Sequence, residues 1–375
     1  MNKRSLDKKR LLGTLLFFLL VSVALVLAGR GFTGQPDEAK QENCSITGFA
    51  FDTTYTITLY EGGSQQLLNR CTEKCAKYEQ IFSRTRENSE VYQINLLSRL
   101  YEKGDQTEID RLRSDGKLPA YQELAGGGLE VDVSQSLAEL IAQGIRYGEI
   151  SKGAFDITIE PVSSLWNFTA DSPVLPEKET IRDALPYVDY SKLKIQNHTL
   201  QILKPGMGLD LGGIAKGYIA DQLKSYLVKQ GVTSGLINLG GNVLCIGEKP
   251  DGSDFQIGIQ YPFADRNKII ATVAVKDVSV VSSGIYERYF TENDTIYHHI
   301  LDPQTGYPRE NDLLAVTIIS DQSVDGDGLS TTCFGLGVEE GKKLIDSMEG
   351  VTAVFITRDE KLHYADGFQK LLVPR

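Results

Sequence analysis

Histidine and cysteine are scarce in this chain, four and five among 375 residues. Cys71 and Cys75 stand four apart on an expected helix, with no histidine beside them and no second cysteine pair. That spacing does not make a zinc site and reads instead as packing on one helical face. Five cysteines are also an odd number, so no essential disulfide is expected. Basic residues do not dominate: 39 Lys and Arg stand against 50 Asp and Glu. Nucleic acid is therefore a poor fit as the main partner. The Gly-x4-Gly-Lys-Ser/Thr phosphate loop, the Gly-x-Gly-x-x-Gly fingerprint, the Gly-x-Ser-x-Gly elbow and His-Glu-x-x-His are all missing. No repeat of fixed period is present either.

What remains suffices for a large core. With 41% apolar and 9% aromatic residues, disorder is excluded for the bulk of the chain. The segment after residue 45 is long enough for one large domain or two closely fused lobes. The N-terminus reads differently. Lys3, Arg4, Lys8, Lys9 and Arg10 form a basic stub over residues 1–10, followed by an apolar run within 11–29. Eighteen residues of helix span roughly 27 Å, near the thickness of a bilayer core. Basic residues on that side predict a cytoplasmic N-terminus with everything downstream exported. A cleaved signal peptide ending near Ala28 is the rival reading and exports the same chain. Residues 30–45 read as a polar linker, and 46–375 as the domain.

Along that domain, strands are expected at 50–60, 235–239, 243–246, 255–260, 269–275, 278–282, 296–301, 314–320 and 352–357. A hairpin over 193–203 turns at Asn197-His198. Helices are expected at 64–82, behind the Ser136-Leu-Ala-Glu139 capping box, after Gly213, and at 328–348. The stretch 87–128 reads as loops around short elements. Irregular alternation of helices with antiparallel-looking strands makes this an α+β chain with mixed antiparallel sheets, not a doubly wound one.

Chemistry concentrates in four places. Leu209-Asp-Leu-Gly-Gly-Ile-Ala-Lys216 passes from a short apolar strand end through paired glycines into a helix start. Backbone N–H groups, the helix dipole and Lys216 together suit a phosphate or pyrophosphate. Asp327, Ser330 and Thr331 share one side of a helical turn and suit magnesium beside a phosphate, though an Asp N-cap is the plainer reading. His298 and His299 face opposite sides of a strand, so both cannot ligate one metal; one of them is a candidate base. Asp156 could accept hydrogen bonds from a ribityl or ribose hydroxyl or from backbone. Trp166 and Phe168 could stack on a flat ring, with core as the default.

In order along the chain, Phe51-Asp-Thr53, Gly153-Ala-Phe-Asp-Ile-Thr158 with Trp166, 209–221 and Ile237-Asn-Leu-Gly-Gly-Asn242 form one pattern. Ser283-Gly284, Tyr286-Glu-Arg288, His299-Ile-Leu-Asp-Pro-Gln-Thr-Gly306 and 327–331 complete it. From residue 46 onward the chain resembles the ApbE family, the FAD:protein FMN transferases. The resemblance implies a single catalytic domain of the ApbE type, with two fused lobes behind a membrane segment. It also implies magnesium-dependent splitting of FAD, with FMN joined to a threonine or serine hydroxyl of a flavoprotein and AMP released. Typical acceptors would be subunits of membrane redox pumps or extracytoplasmic electron carriers. Carried over by position, the metal set is Ala215 (carbonyl), Asp327, Thr331 and Ser330. FAD would meet Phe51, Thr85, Ala154, Phe155, Asp156, Gly212, Lys216, Tyr218, Ile300 and Leu301, and His299 would take the acceptor's proton. The family often has a tyrosine where Thr85 stands, and Phe51-Asp52 replaces its usual Met-Gly. No lipobox cysteine is present, since Arg30 follows Gly29, so a protein anchor in the cell membrane is expected. Hydrolysis of FAD to FMN and AMP and plain FAD binding at the cell surface are the alternatives.

Overall fold

Phe51 and Asp52 both carry positive φ, 56° and 55°, the geometry of a two-residue hairpin turn. They join strand Cys44–Ala50 to strand Thr53–Glu61 in antiparallel register. The expected single strand at 50–60 is thus the second arm of a hairpin. A computed structural model describes residues 43–374 apart from 169, 171 and 266. The basic stub, the apolar run and residues 30–42 of the linker lie outside the described residues. Among the described residues no helix is long and apolar enough to cross a membrane.

This hairpin begins an eight-stranded antiparallel sheet. In spatial order its strands are Cys44–Ala50, Thr53–Glu61, Ser234–Leu239, Asn242–Ile246, Ser279–Gly284, Leu313–Ser320, Val351–Thr357 and Leu362–Tyr364. Both faces are covered, so several strands read as continuous apolar runs. Phe355 and Ala353 point to one core, Val354 and Ile356 to the other. The second core lies under the hairpin Phe255–Gln260/Ile269–Val275 and is closed by Phe368. The first holds the helices. Each fully buried Leu or Ile there, such as Ile57, Leu68 or Leu223, contributes about 1.5–3 kcal/mol.

A smaller four-stranded sheet, Tyr121–Glu123, Leu129–Asp132, Thr199–Ile202 and Leu193–Gln196, packs into the same first core through Leu129, Val131 and Leu200. Its last hairpin turns at Asn197, φ 53°, as expected. Helix Gln65–Phe82 starts at the Ser64 cap and buries Leu68, Cys71, Cys75 and Phe82. The two cysteines are therefore core residues, and all five thiols are free.

Two expectations fail here. Residues 87–128 contain helices Glu90–Glu102 and Gln106–Ser114, capped by Ser89 and Asp105. Gly104 (φ 69°) breaks the apolar spacing between them, which disguises both. The helix behind the capping box is Gln135–Ile150, and its cap is Ser134, whose hydroxyl accepts from Leu137 N–H at 3.4 Å. Ser136 is inside the first turn.

Candidate active site

Two helices on the first core carry the site: Ala215–Lys229 and Ser323–Asp346. The second starts earlier than its apolar spacing suggests, so Asp327 sits inside it and is not its cap. Neither helix has a side-chain cap from its own N-cap residue, Ile214 or Gln322. They cross at Gly217. A Cβ there would lie 2.3 Å from the Ser323 carbonyl oxygen, so only glycine permits the approach.

That approach brings the two expected halves of the site together. Gly217 N–H donates to Asp327 Oδ2 at 2.9 Å. Asp327 Oδ1 faces Lys216 Nζ at 3.7 Å, and Lys216 Nζ also lies 3.4 Å from the Gly212 carbonyl. Asp327 is 4% exposed, whereas the Lys216 side chain keeps 27% of its surface, so the carboxylate is buried and the ammonium is open on one side. Ser283, at the end of strand Ser279–Gly284, places its hydroxyl 2.7 Å from Ser330 Oγ and 3.3 Å from Thr331 Oγ1. Ser330 is buried and donates to the Asp327 carbonyl at 3.0 Å; Thr331 is only half-buried. Phe155 packs over Gly213, where a Cβ would be 3.0 Å from its ring and 3.8 Å from Thr331 Oγ1. Ala154 lies against Gly335 of the same helix, just before it breaks at Gly337 (φ 80°).

The glycine turn rests on an ion pair whose cation, Arg84, carries no signal in the sequence. Asp210 is paired with Arg84 Nε at 3.0 Å and accepts from Ser163 Oγ at 2.7 Å and Gly212 N–H at 3.0 Å. Burial alone would raise this carboxyl; Arg84 and the two hydrogen bonds outweigh it and hold it below the ordinary range. Arg84 is adjacent to Thr85, which is exposed and bonds only within its own turn, to Ser83. A lone carboxylate in an apolar segment was the signal that a cation had to meet it.

The strand expected at 296–301 is Thr295–His298, so His298 ends it and His299 lies in the bend that follows. His298 is buried edge-on to Phe334. His299 is half-buried, with Nδ1 3.3 Å from the Arg288 carbonyl. A carbonyl only accepts, so Nδ1 carries the proton and Nε2 keeps its lone pair. Burial first, then the charges of Arg288, His298 and Lys216, push His299 down to about 3. Burial likewise takes His298 to about 4. Arg288 also reaches the Asp52 carbonyl at 3.5 Å, tying the hairpin turn to this histidine.

A pH dependence follows with a fixed sign. Both histidines have folded values below the unfolded value near 6.5, so the unfolded chain binds more protons between pH 6.5 and 4. Their contribution is complete above pH 6.5 and is lost on acidification, at up to about 1.4 kcal/mol per pH unit for each group. The difference in urea stability between wild type and His299→Gln should grow with pH across pH 4–7, since only the wild type loses the His299 contribution on acidification. An unchanged slope in the variant would show that His299 is protonated in the folded protein.

Other residues expected at the site lie in different surroundings. Asp156 accepts from Thr158 N–H at 2.7 Å, Thr158 Oγ1 at 2.6 Å and Tyr190 N–H at 2.9 Å, all within the protein. Tyr218 donates to Glu139 at 2.5 Å and packs edge-on to Tyr78 and Phe82. Phe51 donates its N–H to Glu79 and packs partly against the core. Ile300 is buried, and Leu301 joins the cluster around Trp166. Trp166 is fully buried and stacked on Phe168, with its N–H on the Gly306 carbonyl at 2.9 Å. It is core.

Among the described residues, no group of three or more His, Cys, Asp or Glu could hold a metal. A cation here would take one carboxylate with hydroxyl and carbonyl oxygens, a hard donor set that fits magnesium beside a phosphate and not zinc. Asp327 Oδ1, which meets only an ammonium at 3.7 Å, is the oxygen such an ion would use.

Known proteins resemble this chain in sequence and in fold. A FAD:protein FMN transferase of Klebsiella pneumoniae is 40% identical over 240 residues, 64% of this chain and 74% of its own. One from Treponema pallidum is 35% identical over 270 residues, 68% of this chain and 74% of its own. The crystal structure of the ApbE protein of Thermotoga maritima superposes with a TM-score of 0.73 at 26% identity, covering 89% of this chain and 100% of that one. The apo form of the flavinyl transferase ApbE of Pseudomonas stutzeri gives 0.72 at 28% identity, covering 90% and 99%. The ApbE family model matches residues 51–355, which includes the glycine turn, both crossing helices and His299, and the chain belongs to the ApbE family.

Proposed function

We propose that this protein transfers FMN from FAD to a threonine or serine hydroxyl of an acceptor flavoprotein, releasing AMP. The observation that carries the reading is the buried Asp327 carboxylate at the helix crossing, facing Lys216 at 3.7 Å, beside the Ser283, Ser330 and Thr331 hydroxyls. Magnesium bound by Asp327, Thr331 and the Ala215 carbonyl, with Ser330 as a further hydroxyl, would neutralise charge on the pyrophosphate of FAD. Lys216 binds the same phosphates, with the positive end of the helix dipole behind it. His299 Nε2 accepts the proton of the acceptor hydroxyl, whose oxygen attacks the FMN-side phosphorus as the bond to AMP breaks. The bound phosphates also offset the Arg288 and Lys216 charges that hold His299 down. Asp210, fixed by Arg84, keeps the glycine turn in place. With the apolar run at 11–29 as an anchor, this chemistry would lie at the cell membrane on its outer side, or outside the cell if the run is cleaved. There subunits of redox pumps and other exported electron carriers are the acceptors.

Incubation with FAD, magnesium and a threonine-bearing acceptor should give a fluorescent flavin band that survives denaturing electrophoresis, with AMP in equal amount. Free FMN and AMP without that band would make the protein an FAD pyrophosphatase. FAD recovered intact would make it a binding protein.

A further inference from the structure

Asp221 lies in the second turn of the helix that starts at Ala215, and nothing in the transfer chemistry calls on it. Its carboxylate accepts from Ser323 N–H at 2.8 Å through Oδ1 and from Val324 N–H at 2.9 Å through Oδ2. These are the first two residues of the helix that carries Asp327, Ser330 and Thr331. In return, Asp327 accepts from Gly217 N–H, in the first turn of the helix that carries Asp221. Each helix lacks a side-chain cap of its own and takes one from the other. Two carboxylates thus occupy two helix N-termini, where the dipole favours negative charge. Ser323 is fixed further by its hydroxyl on Asn242 Oδ1 at 2.7 Å and by Ser279 Oγ at 2.9 Å. Burial raises the Asp221 carboxyl to about 6 against the two N–H bonds that lower it. Both of its oxygens accept from backbone N–H groups, as a carboxylate does.

One cap would stabilise one helix. A reciprocal pair also fixes the two helices against sliding along each other, because a shift that lengthens one set of bonds lengthens the other. That relation sets where Asp327 and Thr331 stand relative to Ala215 and Lys216. We infer that Asp221 is a positioning residue for the transfer site, holding the Asp327 helix in register with the Ala215–Lys216 turn. The inference rests on the cation and flavin-transfer reading of that site.

The test uses Asp221→Ala, Asp221→Asn and, as a matched loss of a cap elsewhere, Ser64→Ala. Ser64 caps helix Gln65–Phe82, with its hydroxyl 3.3 Å from Leu67 N–H. Binding of Mn2+ to the FAD-free protein, thermal midpoint and FMN-transfer rate are measured on each. Asp221→Ala is expected to weaken Mn2+ binding at least tenfold and slow transfer at least tenfold. Asp221→Asn, which keeps an acceptor oxygen, should lose about threefold in each. Ser64→Ala should lower the midpoint alone. If Asp221→Ala does not fold, the Asn variant decides. Wild-type Mn2+ binding and rate in the variant that folds would make Asp221 a cap and nothing more. If the wild type itself binds no Mn2+, the cation reading has failed, and the inference stands or falls on transfer alone. An Asp221 variant as fast as Ser64→Ala would then overturn it.

Discussion

Asp327→Asn is expected to slow FMN transfer by roughly 10²–10³-fold while changing unfolding free energy by no more than about 1 kcal/mol. The two effects separate because the two oxygens of Asp327 have separate partners. Oδ2 takes the Gly217 N–H at 2.9 Å, a bond that an amide oxygen reproduces. Oδ1 faces Lys216 at 3.7 Å, where only a full negative charge balances the ammonium or attracts a cation. Asp327→Ala removes both. It leaves a buried N–H without a partner, at about 1–3 kcal/mol, and should slow transfer by roughly 10³-fold or more. Single-turnover transfer from FAD and urea midpoints on the same samples measure the pair of effects. Transfer within threefold of wild type for Asp327→Asn would remove this carboxylate charge from the chemistry.

Much of this site was legible because its parts are local in sequence. The turn from Asp210 to Lys216 and the series Asp327, Ser330, Thr331 each fit within seven residues, and helical spacing alone shows which oxygens share a side. Their meeting was not legible from periodicity. It depends on Gly217, one glycine among 36, whose need appears only when the Ser323 carbonyl is seen above it. Arg84 was missed for a related reason. It lies 126 positions from Asp210, and a neighbouring residue, Thr85, drew attention through an aromatic that the family often has there. Asp221 was visible as the end of the glycine segment, yet a carboxylate in the second turn of a helix ordinarily faces solvent.

The same division holds for the fold. Strands such as Phe255–Gln260 and Ile269–Val275 stood out at their observed bounds because apolar runs between turn residues mark them. Strand order did not. Thr53–Glu61 pairs with Ser234–Leu239 across about half of the chain, and nothing in either segment names the other. Helices Glu90–Glu102 and Gln106–Ser114 were hidden because Gly104 interrupts one amphipathic pattern and the second helix buries only Ile109 and Leu112.

Gly217→Ala should therefore act against the usual direction of that substitution. In an exposed helix interior, alanine in place of glycine stabilises by about 1 kcal/mol. Here the added methyl would stand 2.3 Å from the Ser323 carbonyl oxygen and 2.6 Å from Val324 Cα. Both are backbone atoms, so no rotamer change relieves the overlap. The helices must part by about 1 Å to restore ordinary contact. Overpacking of this kind costs about 1–3 kcal/mol, and the parting also stretches Gly217–Asp327 and both bonds from Asp221. A net loss of about 2–4 kcal/mol is expected by urea unfolding. Transfer by the fraction still folded should fall about 10²-fold, since misplacement by 1 Å is enough for that. A stabilised variant would mean that the helices do not meet at Gly217. A destabilised variant that transfers FMN at the wild-type rate would show that their register is not what the chemistry requires.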